Sequence, residues 1–261
     1  MNKLKERFNK LLQVGEKAFV PYIMAGSSGL EKFKEQLLFL QKSGVTAVEV
    51  GIPFSDPAAD GETIQKAGKR ALEQYGVTLE GVLNFLQEMK NEVTIPIVIM
   101  SYVNPIYRLG VEHFINLAQK SGIAGCIIPD LPLEEEEMMT PQLEAAGIEL
   151  VRLVTLTSSE ERIKQIAERG NGFLYAVTVT GITGIRRSFH DQFASYLNKV
   201  KQLSPIPVLA GFGISTSEQV SEACEYCDGV IVGSKIIELF ERDDFASIVE
   251  LIEAVNVKTP S

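Results

Sequence analysis

Residues 45–65 read VTAVEVGIPFSDPAADGETIQ. The stretch opens as a short apolar run, passes into a loop pinned by Pro53 and Pro57, and closes on the start of a helical pattern. That is the layout of one βα unit. Two of its residues are out of place in a purely structural unit. Glu49 interrupts the apolar run, and Asp60 follows the prolines.

The unit recurs along the chain. Apolar runs of strand length appear as FVPYIMAG (19–26), VTAVEVG (45–51), IPIVIMS (95–101), GCIIPD (125–130), ELVRLVT (149–155), FLYAVT (173–178), IPVLAGF (206–212) and GVIVGS (229–234). Helical patterns separate them, among them LEKFKEQLLFLQKSG, VEHFINLAQKSG and SEQVSEACEYC, and DFASIVELIEAV follows the last run. One helix per crossover is expected. Strict alternation implies parallel strands joined by crossovers. Eight such units in 261 residues fit a closed (β/α)8 TIM barrel, with an open doubly wound sheet as the alternative. No linker or low-complexity segment divides the chain, so 1–261 is expected to be a single domain. Leu4, Phe8, Leu11 and Leu12 fall on one helical face and add an amphipathic helix before the first strand.

Composition narrows the function. A formal net charge of −9 argues against nucleic acid, whose binders carry basic stripes. No apolar run approaches the roughly 18 residues of a membrane span, and the N-terminus has no secretory h-region. Three cysteines suggest a reducing compartment without a disulfide framework. The cytoplasm is the expected location. A phosphorylated ligand would have to be held by local donors, since the overall field is negative.

Alternation along the second strand sets Val45, Ala47, Glu49 and Gly51 on one face, and Thr46, Val48 and Val50 on the other. The helix-facing side must be apolar, so Glu49 points into the barrel, where Gly51 leaves space above it. Burial raises a carboxyl pKa, and a glutamate tuned upward suits general acid–base work. An ion-paired structural glutamate would read the same way. Asp60 is open to two readings: an N-cap for the helix starting near Glu62, or a carboxylate folded over the mouth near Glu49. The loops at 52–65 and 179–191 are long for βα connections and belong to the C-terminal mouth, where barrel active sites are found.

An anion site is expected at the same mouth. Gly211-Phe212-Gly213-Ile214-Ser215 and Gly233-Ser234 each leave a strand and enter a helix. Glycines let the backbone approach closely, and helix N-termini supply N–H donors. Gly184 is placed to close over the same phosphate; Arg186 and Arg187 are possible aids. No Walker motif is present. Cys224-Glu225-Tyr226-Cys227 lacks further ligands for zinc, with His113 and His190 not near a second cysteine, and it closes a helix instead of opening one. No metal is expected. The acidic run Glu134–Glu137 is expected to stay solvated at a helix start.

The segment from Glu49 to Pro57, followed by Ala58-Ala59-Asp60-Gly61, resembles the signature of the tryptophan synthase alpha chain family. So do Phe19-Val20-Pro21-Tyr22, Met100-Ser101-Tyr102-Val103-Asn104-Pro105, Pro129-Asp130-Leu131-Pro132 and Thr180-Gly181-Ile182-Thr183-Gly184. Val48, Val50 and Glu62 depart from the leucines and proline usual in the family, outside the chemistry. The resemblance implies retro-aldol cleavage of indole-3-glycerol phosphate to indole and glyceraldehyde 3-phosphate. Glu49 would be the acid/base and Asp60 the acceptor for indole N–H. Tyr22, Met100, Ile127 and Tyr175 would wall the indole, Tyr102 would help position it, and Thr183 would close the site. Phe212, Gly213, Gly233 and Ser234 would hold phosphate. It also implies docking on a beta chain in an α2β2 assembly through Pro53, Phe54, Asp56, Pro57, Asn104, Pro105, Asp130 and Pro132. Pyridoxal phosphate would belong to that partner alone, with no cofactor in this chain. Other phosphate-binding barrel enzymes, a stand-alone indole-releasing lyase and a non-catalytic subunit are the alternatives.

Overall fold

In the computed structural model, residues 2–178, 186–211 and 213–256 are described, with backbone alone for 186–191. Eight parallel strands close into a barrel in sequence order: β1 (Ala18–Met24), β2 (Val48–Gly51), β3 (Ile97–Met100), β4 (Gly125–Ile127), β5 (Glu149–Thr155), β6 (Leu174–Val177), β7 (Val208–Gly211) and β8 (Gly229–Val232). Each coincides with one of the apolar runs. β8 pairs with β1 through Ala18↔Gly229 to Pro21↔Val232, which closes the sheet and removes its edges.

Two apolar layers result from the alternation. Ala18, Val20, Tyr22, Met24, Ala47, Val98, Met100, Ile127, Val151, Tyr175, Leu209 and Ile231 fill the interior. Val48, Val50, Ile97 and Ile99 face outward against helical residues such as Leu37, Leu40 and Leu83. Val45 departs from the expected face and belongs to this outer layer. It precedes β2, and its N–H still donates to Leu40 at the end of the preceding helix, so strand alternation does not reach it.

The helix Lys3–Gln13 stoppers the N-terminal end of the barrel. Leu4, Phe8 and Leu11 join the interior cluster, and Phe8 packs on Phe173 with centroids 5.1 Å apart. Asn2 caps this helix through its side-chain oxygen and donates from Nδ2 to the carbonyls of Ala124 and Gly147. One side chain therefore starts the helix and ties it to the barrel floor. Leu12, expected on the same face, is 38% exposed; it lies one residue past the buried stripe.

Three connections hold two helices where one was expected. Glu62–Tyr75 and Leu79–Glu88 are separated by Gly76 at φ 59. Val103–Leu109 and Val111–Lys120 bend at Gly110, φ 94. After β8, Ser234–Glu241 and Phe245–Glu253 are parted at Asp243, φ 52. Each break is a left-handed residue, a conformation that ends a right-handed helix.

Candidate active site

Glu49 lies on β2 between Tyr22 of β1 and Val98 of β3. Its side chain points into the barrel and is 2% exposed. Oε2 is buried without a hydrogen-bond partner. A carboxylate in that setting loses its hydration with nothing in return. Burial, and then the negative charge of Asp60, push its pKa up to about 8. The group therefore holds its proton at neutral pH.

Two phenols roof this carboxyl. A Cβ on Gly51 would collide with the Tyr22 phenol, and one on Gly211 would collide with the Tyr175 ring. The space that Gly51 was expected to leave above Glu49 is thus filled by Tyr22; the glycines are needed so that the two rings can cross the mouth. Burial and then the nearby carboxylates raise both phenols well above their ordinary value, Asp60 leading for Tyr22 and Glu49 for Tyr175. Both rings stay protonated. Met100 and Ile127, buried at the ends of β3 and β4, complete the apolar wall.

Asp60 reaches this site from the loop between β2 and the helix at Glu62. The loop leaves β2 with Ile52 N–H donating to Met100 O at 2.8 Å, and it buries Pro53. Asp56 O accepts from Ala58 N–H at 3.0 Å, and Pro57 O from Asp60 N–H at 3.1 Å. Phe54 rests on Tyr102, centroids 5.2 Å apart. The Tyr102 hydroxyl accepts the Ala59 N–H at 2.9 Å. Burial pushes the Asp60 carboxyl up to a pKa of about 6, and the nearby Tyr102 hydroxyl acts in the lowering direction. The N-cap reading of Asp60 fails: the cap residue is Gly61, without a side-chain bond. Two carboxyls of different affinity for protons therefore lie within electrostatic reach of each other, the usual physical basis for separate acid and acceptor roles.

The glycine-rich end is more asymmetric than its sequence suggests. At the helix Ser217–Tyr226, Gln219 Oε1 already accepts from the N–H groups of Ser215 and Thr216 in a capping box. The helix Ser234–Glu241 has Gly233 as its cap residue and no side-chain cap. A Cβ at Gly233 would lie 3.6 Å from Tyr22 Cβ, so this uncapped end adjoins the pocket. Gly213 takes φ 80, which favours glycine. Thr183, Gly184 and Phe212 lie outside the described residues, as do the side chains of Arg186, Arg187 and His190.

The residues expected to face a partner are divided. Asp56, Asn104, Asp130 and Pro132 are exposed, and Phe54, Pro57 and Pro105 are half-buried. Pro53 is buried, and the carboxylate of Asp130 accepts the Val103 N–H at 2.9 Å. The acidic run needs a correction as well. Glu134 pairs with Arg162 at the surface, but Glu136 is 4% exposed and not solvated. A 3-10 turn at Glu136–Met138 carries it under β5, where Arg152 grips both its oxygens at 2.8 and 3.1 Å and Arg169 adds a third bond at 2.9 Å. The one signal in the sequence was an arginine inside the apolar run ELVRLVT. Cys224 and Cys227 are buried, and burial pushes their thiols up to about 12 and about 11. No group of residues suited to a metal occurs among the described residues.

Comparison with known proteins gives one answer. The family model described as Tryptophan synthase alpha chain matches residues 8–258. A Tryptophan synthase alpha chain from Bacillus mycoides (strain KBAB4) is 52% identical over 250 residues, 96% of this chain and 96% of that protein. Tryptophan synthase subunit alpha from Legionella pneumophila superposes with a TM-score of 0.89 at 31% identity, over 98% of this chain and 99% of that one. A chain of tryptophan synthase from M. tuberculosis, in its open form, gives 0.88 at 28% identity, with 98% and 99% covered.

Proposed function

The chain belongs to the tryptophan synthase alpha chain family, and on that premise we propose how its barrel mouth carries out the family reaction. The protein is a lyase of tryptophan biosynthesis that cleaves indole-3-glycerol phosphate to indole and glyceraldehyde 3-phosphate. Indole leaves carbon poorly until ring C3 is protonated. Glu49, neutral at pH 7, supplies that proton. As the carboxylate it then takes the proton of the hydroxyl on the carbon joined to the ring. The C–O bond becomes a carbonyl, the C–C bond breaks, and its electron pair restores the aromatic ring. Glu49 ends protonated, as it began. Asp60, largely ionised at the same pH, accepts the indole N–H, which grows more acidic as positive charge develops on the ring. Tyr22, Met100, Ile127 and Tyr175 enclose the ring, and the uncapped amides at Gly233 and Ser234 face the phosphate, with Gly213 as a further phosphate-binding residue.

One observation carries this reading: a fully buried carboxyl with an unpartnered oxygen at the mouth of the barrel. A structural glutamate would have found an ion-pair partner. The proton transfers need only side chains of this chain. Pyridoxal phosphate is assigned to the beta chain, the partner in the family's α2β2 assembly, reached through the exposed parts of the 53–57, 104–105 and 130–132 segments. The 261 residues act as one barrel unit. No helix among the described residues is long and apolar enough to cross a membrane, and three buried free thiols suit a reducing cytoplasm. The test is indole release from indole-3-glycerol phosphate, measured with and without the beta chain. Indole is expected in both cases, faster with the partner; a folded chain that releases none refutes the reading.

A further inference from the structure

Asp130 is exposed, as a partner-facing residue would be, and its carboxylate also holds a backbone amide of its own chain. Asp130 Oδ1 accepts the N–H of Val103, the first residue of the helix Val103–Leu109, at 2.9 Å from 27 positions away. The residue before Val103 is Tyr102, the cap residue of that helix, which makes no side-chain cap of its own. Tyr102 is thus held between two fixed amides: Ser101 N–H donates to Ile127 O at 3.0 Å, and Val103 N–H is taken by Asp130. The phenol runs from there past Phe54 to the Ala59 N–H, one residue before Asp60.

Asp130 is itself well anchored. It sits in a turn closed by Leu131 N–H to Ile128 O at 3.1 Å. The far end of its loop is fixed by the buried pair of Glu136 and Arg152. Three segments distant in sequence, 54–60, 101–103 and 128–136, therefore meet through Tyr102.

We infer that Asp130 is a positioning residue for the reaction, because its grip on the Val103 amide aims the Tyr102 hydroxyl that holds the Ala59 N–H beside Asp60. This rests on the role given to Asp60 above. Misplacement of a reacting group by about 1 Å costs up to roughly a hundredfold in rate. One bond removed from Asp60 by a tyrosine should cost less.

The test is a double-mutant cycle on the isolated chain, where no partner contact contributes. Asp130→Ala and Tyr102→Phe should each lower kcat for indole release on the order of tenfold, with KM changed less than about twofold. The double variant should be no slower than the slower single variant. Asp130→Asn keeps the acceptor oxygen and should restore at least half the activity. Multiplying losses, or an Asn variant as slow as the Ala variant, would overturn the inference. A second readout does not need turnover: carbon-13 NMR titration of Asp60, which faces Glu49, Tyr22, Tyr102 and Tyr175. Loss of the phenol donor in Tyr102→Phe should move its midpoint upward, Asp130→Ala should follow in the same direction, and Asp130→Asn should not. Should the wild-type chain release no indole, the reaction is wrong while this titration still decides the positioning. An unmoved midpoint in folded Asp130→Ala rejects the positioning even if indole is made.

Discussion

Glu49 and Glu136 are almost equally hidden, at 2% and 4% exposure, and their surroundings treat them in opposite ways. Around Glu136, burial pushes the pKa up, but hydrogen bonds from Arg152 and Arg169 outweigh it and hold the group below the ordinary range. Around Glu49, burial and the Asp60 charge act together and no cation answers them. The first carboxylate is a peg that fixes the loop after β4. The second is kept neutral and ready to give up a proton. Burial alone does not decide a carboxyl's charge; burial without a cationic partner keeps it neutral.

The comparison breaks most visibly if its cation is removed. Arg152→Met leaves Glu136 buried with only the half-exposed Arg169, and should destabilise the fold by about 3–5 kcal/mol, read from urea or thermal unfolding. A loss below about 1 kcal/mol would mean that the pair is not the anchor described.

Glu49→Gln should act in the contrary sense. Turnover should fall at least roughly 10²-fold in a folded protein, and near-normal kcat would end the acid/base assignment. Its stability should not fall. A carboxyl whose folded pKa is raised favours the neutral form, so the wild-type chain loses stability as pH climbs from the ordinary carboxyl value, about 4.5, to about 8. The glutamine variant has no such loss. Its advantage in Tm should be near zero at acid pH and should grow across that window, which differential scanning calorimetry at several pH values will show. A constant difference would place the ionisation elsewhere.

Asp60→Asn sharpens the contrast within the mouth itself. It should lower kcat by about tenfold or more, through weaker support of the charged ring, with little change in affinity for glycerol phosphate. A variant that mainly loses phosphate affinity would move Asp60 to the other end of the substrate.

The sequence made one half of this comparison legible and hid the other. Glu49 could be found because period-2 alternation fixes which way every second side chain of a strand points, and the flanking valines left it only the interior. Asp60 stood in the sequence with two readings, and the N-cap one fails, since Gly61 holds the cap position. Glu136 was lost in its acidic run because its partner lies 16 residues away, and no local pattern encodes that pairing. Asp130 met the same limit, its bond to Val103 spanning 27 positions. The eight strands were legible as apolar runs. The split helices were not, because Gly76 and Gly110 lie inside segments whose helical patterns run on to either side of them, where a left-handed turn and a continuing helix look alike.

The central claim is that Glu49 carries a proton at neutral pH in the free enzyme. Carbon-13 NMR of its side-chain carboxyl, assigned by comparison with Glu49→Gln, reads that proton directly. We expect a midpoint near 8, several tenfold steps in proton affinity above an exposed glutamate; a midpoint close to the ordinary 4.5 would contradict the account.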